Sequence, residues 1–222
     1  MFRRVCPRKA SGPDDISGTL LKACYGEMAE AWCPIFQRSL DSHAVTWKDS
    51  IIIPVPKKAC CKENNDYRPV ALTSIVMKCF EKIIVSLLKK DVSGVLDPLQ
   101  FAYRCNRGTD DAITALKHML VKHLDHPDAF ARLLYVDFSS AFNTIQPHLL
   151  VKKLVDLNVH PQIIKWYHSF LSNRKQWVSV NGTLSKARTL STGAFQGCVS
   201  SPVFFVIDTN ECRSSHPSCH IF

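Results

Sequence analysis

The sequence lacks an apolar run long enough to cross a bilayer, which excludes a membrane-spanning helix. Its longest runs, such as VFFVI at residues 203–207, are far shorter than the roughly 20 residues that a spanning helix needs. Residues 1–10 hold four basic residues and one proline but no apolar core, so they do not resemble a secretory signal. We therefore expect a nuclear or cytoplasmic protein that is not secreted and has no membrane partner.

The ten cysteines lack the spacing of a redox or metal motif, because no C-x-x-C occurs. Nothing indicates the oxidising compartment in which disulfides persist. We therefore expect free thiols, partly buried as small hydrophobic groups, and no disulfide-linked partner. Cys212, His216, Cys219 and His220 could form a zinc site, but their spacing fits no common zinc finger and a polar loop is the better interpretation.

The composition is that of a globular chain with a basic balance. Hydrophobic residues make up 46% and charged residues 21% of the 222 residues, with no internal repeat or low-complexity tract. A chain of this length can bury one sizeable core and a second small lobe. The net charge of +9 favours a phosphate-bearing partner such as nucleic acid, although solubility alone would also account for it.

Hydrophobic periodicity predicts several helices. Residues 17–40 have helical spacing interrupted near Gly26 and Pro34, which indicates two short helices. The predicted helix over residues 74–90 has an apolar face of Ile75, Cys79, Ile83 and Leu87. A helix beginning at Thr109 has a predicted buried stripe of Ile113, Leu116, Leu120 and Leu124. Further helices are expected at 147–157, at 161–171 and from about residue 200, each with a proline in its first turn.

Few strands are predicted, so the helices indicate α+β packing. The β-branched run at residues 50–53 predicts a strand stopped by Pro54 and Pro56, followed by a polar, lysine-bearing loop at 57–66. Residues 177–180 and 183–189 predict a hairpin around the tight turn Asn181-Gly182.

Asp137 follows an apolar run in the segment LLYVDFSSAFNTI, residues 133–145. The run at 133–136 predicts a buried strand, and small residues at 139–141 separate the carboxylate from Phe142. Metal-assisted phosphoryl transfer needs this layout, because a rigid strand end holds an oxygen ligand for Mg²⁺ beside tight backbone that a nucleotide can approach. Alternatively, Asp137 only caps the next helix, since a strand followed by aspartate and a turn is common.

Five blocks in a fixed order resemble the reverse transcriptases of non-LTR (LINE-type) retrotransposons. LLYVDFSSAFNTI is similar to motif A of that family, and STGAFQGCVSSP at residues 191–202 is similar to motif B. The blocks upstream are GPDDI at 12–16, IPVPKK at 53–58 with YRPVALTS at 67–74, and QFAYR at 100–104 with GTDDA at 108–112. Each block is a weak signal, whereas the ordered set covers almost the whole chain and is strong.

The resemblance implies an RNA-directed DNA polymerase with the right-hand fingers and a partial palm, the thumb being absent. It divides the chain into a basic N-terminal tail (1–10), a fingers-like part (11–129) and a partial palm (130–222). The implied cofactor is Mg²⁺, and the implied partners are an RNA template, a DNA primer and deoxynucleoside triphosphates.

The resemblance also assigns roles to individual residues. Asp137 would be the first catalytic carboxylate and a metal ligand, with the backbone carbonyl of Phe138 facing the same metal. Phe142 would lie under the sugar and exclude a 2′-hydroxyl, and Arg68 would hold the triphosphate. Arg68 would be assisted by lysines from the set Lys57, Lys58 and Lys62. The nucleotide and template base would be approached by Gln196 and Gly197. Template phosphates would be bound by Arg104 and Arg107.

The chain departs from the family pattern in places. The family's remaining carboxylates come from an [FY]ADD hairpin, and this sequence stops a few residues short of it, so we expect a truncated domain that is inactive as it stands. Asp208 could substitute, but we interpret it as a polar residue at a helix end. Phe195 stands where relatives have proline and Ser200 where they usually have leucine, while Cys105 and Gly108 are milder departures. The alternatives are a non-catalytic nucleic-acid-binding remnant and a poorly folded product without function.

Overall fold

Seven α-helices and five β-strands make up the described part of the chain. The computed structural model describes residues 1–138, 141–194, 196–216 and 219–221. The elements in chain order are α1 Gly18–Ala23, α2 Tyr25–Ser42, β1 Ser50–Pro56, β2 Tyr67–Thr73, α3 Ile75–Val92, α4 Thr109–Leu124, α5 Pro147–Asp156, α6 Pro161–Leu171, β3 Arg174–Val180, β4 Thr183–Leu184, β5 Arg188–Leu190 and α7 Ser201–Thr209. The predicted α+β class is confirmed.

The sheet has the strand order β2-β1-β3-β4, and β5 also pairs with β3. β1 is antiparallel to β2 over its whole length but parallel to β3 only over residues 50–52. The prediction that Pro54 and Pro56 end β1 is wrong. Pro54 lies opposite Pro69 in β2, and neither proline can donate a hydrogen bond to the other strand. On its other side, Pro54 lies beyond the residues that pair with β3, so its missing N–H breaks no hydrogen bond there.

Helix α3 lies at the centre of the core, with its Phe80 ring stacked on Phe36 of α2 at 4.2 Å. Phe80 also meets Trp166 of α6 edge-on at 5.3 Å. The predicted apolar face of α3 is correct at its start and wrong further along, because Ile83 and Leu87 are each 37% exposed whereas the neighbouring row of Phe80, Ile84 and Leu88 is buried. The helix has two adjacent apolar rows, and the packing of other helices decides which one is covered.

Helix α4 has the predicted bounds but not the predicted buried stripe. No residue of α4 is buried, and Ile113 and Leu124 are each 50% exposed while Leu116 and Leu120 are partly covered. Periodicity finds the amphipathic helix, but it does not show whether another element covers the apolar side.

The predicted strand at residues 133–136 is wrong. These residues have irregular backbone, and Leu134, Tyr135 and Val136 are 88%, 82% and 74% exposed. A strand needs a neighbour for its backbone groups, and among the described residues the five strands pair only with one another. The small-residue turn predicted at 139–141 includes Ser139 and Ser140, which lie outside the described residues.

The break in the N-terminal helical region is at Cys24, two residues before Gly26, which agrees with the interruption predicted near Gly26, whereas the predicted interruption at Pro34 is wrong. Ser17 starts α1, because its side chain accepts the Leu20 N–H. Pro34 lies inside α2 and is exposed, as is Glu30 one turn before it, so water can reach the carbonyl that loses its helical bond.

The remaining predicted helices agree closely with the structure, whereas the hairpin strand predicted at 183–189 is divided into β4 and β5. α6 has the predicted bounds, α5 ends one residue early, and α7 begins at Ser201. The β3–β4 hairpin turns at Asn181 and Gly182, which both have positive φ. No helix within the described ranges combines the length and apolar character that a bilayer span requires.

Candidate nucleotide-binding site

Residues 191–200, called loop 191–200 below, depend on two glycines with left-handed backbone. Gly193 has φ +71°, and a Cβ there would lie 3.0 Å from the Asn143 carbonyl oxygen. Gly197 has φ +120°, and a Cβ there would lie 3.0 Å from the carbonyl oxygen of Ala71 in β2. Backbone therefore packs directly on backbone at both places, which a side chain would prevent.

Three backbone hydrogen bonds fix loop 191–200 to its neighbours. Gly193 N–H donates to the Ile145 carbonyl and Ala194 N–H to the Phe142 carbonyl, both at 2.7 Å. On the other side, Ala71 N–H of β2 donates to the Gln196 carbonyl at 2.9 Å. The loop thus joins the segment after Asp137 to the outer edge of the sheet, and it brings Phe142, Gln196 and Gly197 together with β2. Phe195, which departs from the family pattern, lies outside the described residues.

Arg174, the first residue of β3, holds the start of loop 191–200. Its side chain is buried, and its guanidinium donates to the Thr192 and Gly193 carbonyls at 2.5 and 2.6 Å. Burial lowers the pKa of Arg174 to about 10, well above neutrality, so the guanidinium stays charged. A buried charged donor with two carbonyl partners makes this end of the loop rigid.

Glu81 of α3 holds the other end of loop 191–200. One oxygen of its fully buried carboxylate accepts the N–H of Val199 at 2.9 Å, and the N–H and hydroxyl of Ser200 at 3.1 and 3.0 Å. Burial raises the pKa of Glu81, while the hydrogen bonds from Ser200 oppose that rise. Sequence reasoning missed both Glu81 and Arg174. An acidic residue beside Phe80 and Ile84, within the apolar rows of α3, was the available signal for Glu81.

Phe142 is half-buried in an aromatic cluster centred on Phe205 of α7. The Phe142 and Phe205 ring centroids are 6.1 Å apart, and Tyr103 lies 6.5 Å from Phe142. Phe138 also meets Phe205 edge-on at 5.7 Å. The ring of Phe142 is therefore held by its aromatic neighbours and packs against the core. Its carbonyl accepts a hydrogen bond from Ala194 of loop 191–200.

Arg68 is exposed on β2, opposite Val55. It precedes Ala71 by three residues, which is about 10 Å along a strand. Within the described part of the chain its guanidinium forms no hydrogen bond or ion pair. The Arg68 guanidinium is thus accessible to solvent on the strand that contacts loop 191–200.

The loop lysines differ in their contacts. Lys57 Nζ donates to the Asn65 carbonyl at 2.7 Å, and Lys58 Nζ lies 2.6 Å from the Asp66 carboxylate. That carboxylate also accepts the Lys62 backbone N–H at 2.8 Å. The hydrogen bond from the Lys58 side chain is the largest of the interactions that lower the pKa of Asp66. Of these three lysines, only Lys62 has an ammonium group without a hydrogen-bond or ion-pair partner among the described residues.

Arg104 and Arg107 hold their own loop together. Arg104 Nη1 donates to the Asp97 carbonyl at 2.6 Å, and Arg107 Nη1 donates to the Pro98 carbonyl. The Arg107 guanidinium lies 5.3 Å from the centre of the Phe101 ring. Part of the donor capacity of both arginines is therefore used locally, and their contact with template phosphates stays a prediction.

Asp137 is exposed, and the described residues contain no group of three or more His, Cys, Asp or Glu that could hold a metal ion. A two-metal clamp needs more than one carboxylate, so the residues that the structure describes do not fit it by themselves. Asp208 does not supply the missing ligand, because it lies at the end of α7 in an ion pair with Lys153 at 3.0 Å. This agrees with its interpretation as a polar residue at a helix end.

The comparisons with known proteins decide the family. The family model described as reverse transcriptase (RNA-dependent DNA polymerase) matches residues 55–220. This chain belongs to the reverse transcriptase family. The family expected from the sequence motifs is thereby confirmed.

The domain is similar to several retrotransposon proteins. It is 26% identical, over 95% of this chain and 23% of the relative, to the RNA-directed DNA polymerase from mobile element jockey of Drosophila melanogaster. It is also 26% identical, over 94% of this chain and 21% of the relative, to the retrovirus-related Pol polyprotein from type-1 retrotransposable element R1 of Bradysia coprophila. A further relative, at 22% identity over 94% of this chain, is the probable RNA-directed DNA polymerase from transposon X-element of Drosophila melanogaster. The chain spans about a fifth of the length of these curated relatives.

Proposed function

We propose that this reverse transcriptase domain supplies the fingers and part of the palm of a retrotransposon RNA-directed DNA polymerase. In this proposal it binds the incoming deoxynucleoside triphosphate against an RNA template and a DNA primer. The observation that carries the proposal is the position of loop 191–200, which is bonded to Phe142 on one side and to β2 on the other. Residues 11–129 would then form the fingers and residues 130–222 the partial palm, with the basic tail at 1–10.

The contacts of the described residues support separate roles in nucleotide binding. Arg68 and Lys62 have cationic groups without a described partner, and a triphosphate is the ligand that such groups would hold. Phe142 has a ring fixed by Phe205, so bulk there would resist a 2′-hydroxyl. Gln196 and Gly197 present tightly packed backbone that a base pair can approach closely.

Asp137 with the Phe138 carbonyl is our proposal for a metal-facing pair, and Mg²⁺ is the ion whose hard oxygen preference suits it. The ion would stabilise charge on the transferring phosphoryl group. Because the described residues supply one carboxylate at this place, we assign no step of the reaction to the metal.

A non-catalytic nucleic-acid-binding role is the second candidate. It is favoured by the combination of the +9 charge with the absence, among the described residues, of a complete carboxylate set. In that role RNA–DNA duplex would bind through its phosphates, while deoxynucleotides would not bind at loop 191–200.

Nucleotide binding by Arg68→Ala, with Arg188→Ala as the matched control, distinguishes these roles. Arg188 is also an exposed strand arginine, so both variants lose the same charge. Titration of deoxynucleotide onto the protein with primed RNA template should show about a tenfold to hundredfold weaker affinity for Arg68→Ala, because charge-assisted bonds contribute about 1.5–3 kcal/mol. Equal affinities of the parent and both variants would contradict the nucleotide role of Arg68, whereas binding of the primed template without measurable deoxynucleotide binding would favour the non-catalytic alternative.

A further inference from the structure

A cavity of about 200 Å³ lies beside loop 191–200 and is lined by Gly197 and Val199. Its other walls come from the N-terminal segment and from α3. Four cationic side chains surround it, namely Arg4, Lys9, Lys78 and Lys82. The cavity has no acidic lining residue among those that the structure describes.

The N-terminal segment is held firmly against α3. Phe2 and Val5 are buried in a cluster with Leu21, Ile75 and Cys79. This packing fixes the backbone on either side of Arg4 and carries the chain on to Lys9. The basic N-terminal tail therefore forms a structured wall of the cavity.

The positive charge around the cavity is not neutralised by the described residues. None of the four cationic side chains forms a hydrogen bond or an ion pair within the described ranges. Lys78 and Lys82 are four residues apart on one helix, where like charges repel each other. The nearest acid along α3, Glu81, is fully buried and bonded to Val199 and Ser200. Burial lowers the pKa of Lys78 against the attraction of Glu81, so an anion in the cavity would relieve an existing electrostatic cost.

We propose that this cavity binds a backbone phosphate of the RNA strand that passes loop 191–200. The inference rests on the proposed function, in which that strand is the template, and it adds a contact distinct from Arg68, Arg104 and Arg107. The cavity volume of about 200 Å³ is below the roughly 300–1,000 Å³ of small-molecule sites. It suits a single phosphate group of a strand on the surface better than a whole nucleoside triphosphate.

The test is binding of a fluorescent single-stranded RNA oligonucleotide to the full chain, followed by anisotropy across a series of salt concentrations. The variant is Lys78→Gln with Lys82→Gln, and the matched control is Lys89→Gln with Lys90→Gln in the last turn of the same helix. Each phosphate contact to a single strand contributes about 0.7 to the slope of log affinity against log salt. We expect the cavity variant to lose about 0.7 of that slope, as for one phosphate contact, and the control to keep it.

Three other outcomes would contradict the cavity inference, the proposed function or both. If the parent binds RNA and both double variants match each other, the cavity inference is wrong while the proposed function stands. If the parent does not bind RNA at all, the proposed function fails and the inference fails with it. If the cavity variant instead loses thermal stabilisation by deoxynucleotide alone, a free nucleotide occupies the cavity and the assignment to an RNA strand is wrong. Should the double variant not fold, as judged by circular dichroism, the exposed single variant Lys82→Gln decides the same question.

Discussion

The carboxylate of Glu81 accepts both the backbone N–H and the hydroxyl of Ser200, at 3.1 and 3.0 Å, from within the central helix. A buried acid on α3 thus fixes the end of loop 191–200, and Arg174 fixes its start. The shape of the loop against which a nucleotide would bind depends on two charged residues that need not touch the nucleotide.

Glu81→Ala should destabilise the domain by about 3 kcal/mol, because it leaves the buried N–H groups of Val199 and Ser200 without an acceptor. Glu81→Gln should cost much less, since its carbonyl oxygen can replace the acceptor. Urea unfolding of both variants measures the difference. Equal stability of the alanine variant and the parent would show that these hydrogen bonds are not important.

Glu81 should also make stability depend on pH. Because burial raises its pKa in the folded state above the ordinary value of 4.5, folding favours the protonated form. Its stabilising contribution is complete below the unfolded pKa and is lost as pH rises through the folded pKa. Unfolding free energies measured from about pH 4 upwards should show a decline in the parent that is absent in Glu81→Gln. Parallel curves for the two proteins would contradict the raised pKa.

Arg174→Met should destabilise the domain by about 2–4 kcal/mol, because the Thr192 and Gly193 carbonyls lose a charged donor that is itself buried. Arg188→Met, at an exposed position of β5, should change stability by no more than about 0.5 kcal/mol. Urea unfolding tests both. Amide hydrogen exchange should also become faster at residues 192–194 in the Arg174 variant, and unchanged exchange there would refute its role in holding the loop.

Gly197→Ala should destabilise the domain by about 1–3 kcal/mol, through its φ of +120° and the close Ala71 carbonyl. Gly94→Ala is the control, because open space surrounds Gly94 and its φ is not in the left-handed region. Thermal melting of the two variants gives the comparison. A Gly197 variant as stable as the Gly94 variant would mean that the loop relaxes without cost.

Phe142→Ala should reduce discrimination between deoxynucleotides and ribonucleotides, because it removes the bulk under the sugar. Competition of matched deoxynucleotide and ribonucleotide for the protein with primed RNA template measures the ratio of affinities. Phe205→Ala is the control, since it removes the ring that supports Phe142 at 6.1 Å but not Phe142 itself. An unchanged ratio in the Phe142 variant would show that Phe142 is only a core aromatic.

Local sequence signals were enough to predict most helices and the hairpin. Pro161 at a first helical turn and the apolar spacing after it define α6, and Asn181-Gly182 defines the turn after β3. These features depend on neighbours along the chain, so they can be recognised without knowledge of the tertiary fold.

Long-range contacts account for what the sequence did not reveal. Residues 133–136 have the composition of a strand but no pairing partner among the described residues, and β2, which was not predicted, forms by pairing with β1. Glu81 bonds to Val199, which is 118 positions away in the sequence, and Arg174 bonds to Gly193, which is 19 positions away. The motifs identified Phe142, Gln196 and Gly197, whereas the residues that hold their backbone in place have no motif of their own.

Amide hydrogen exchange of the domain, with and without primed RNA template and a matched deoxynucleotide, tests most directly whether loop 191–200 is the nucleotide site. Our account predicts slower exchange in peptides covering loop 191–200 and β2, and unchanged exchange in the β4–β5 region, which lies outside the proposed site. Protection that is absent from loop 191–200, or that is equally strong in the β4–β5 region, would contradict the account.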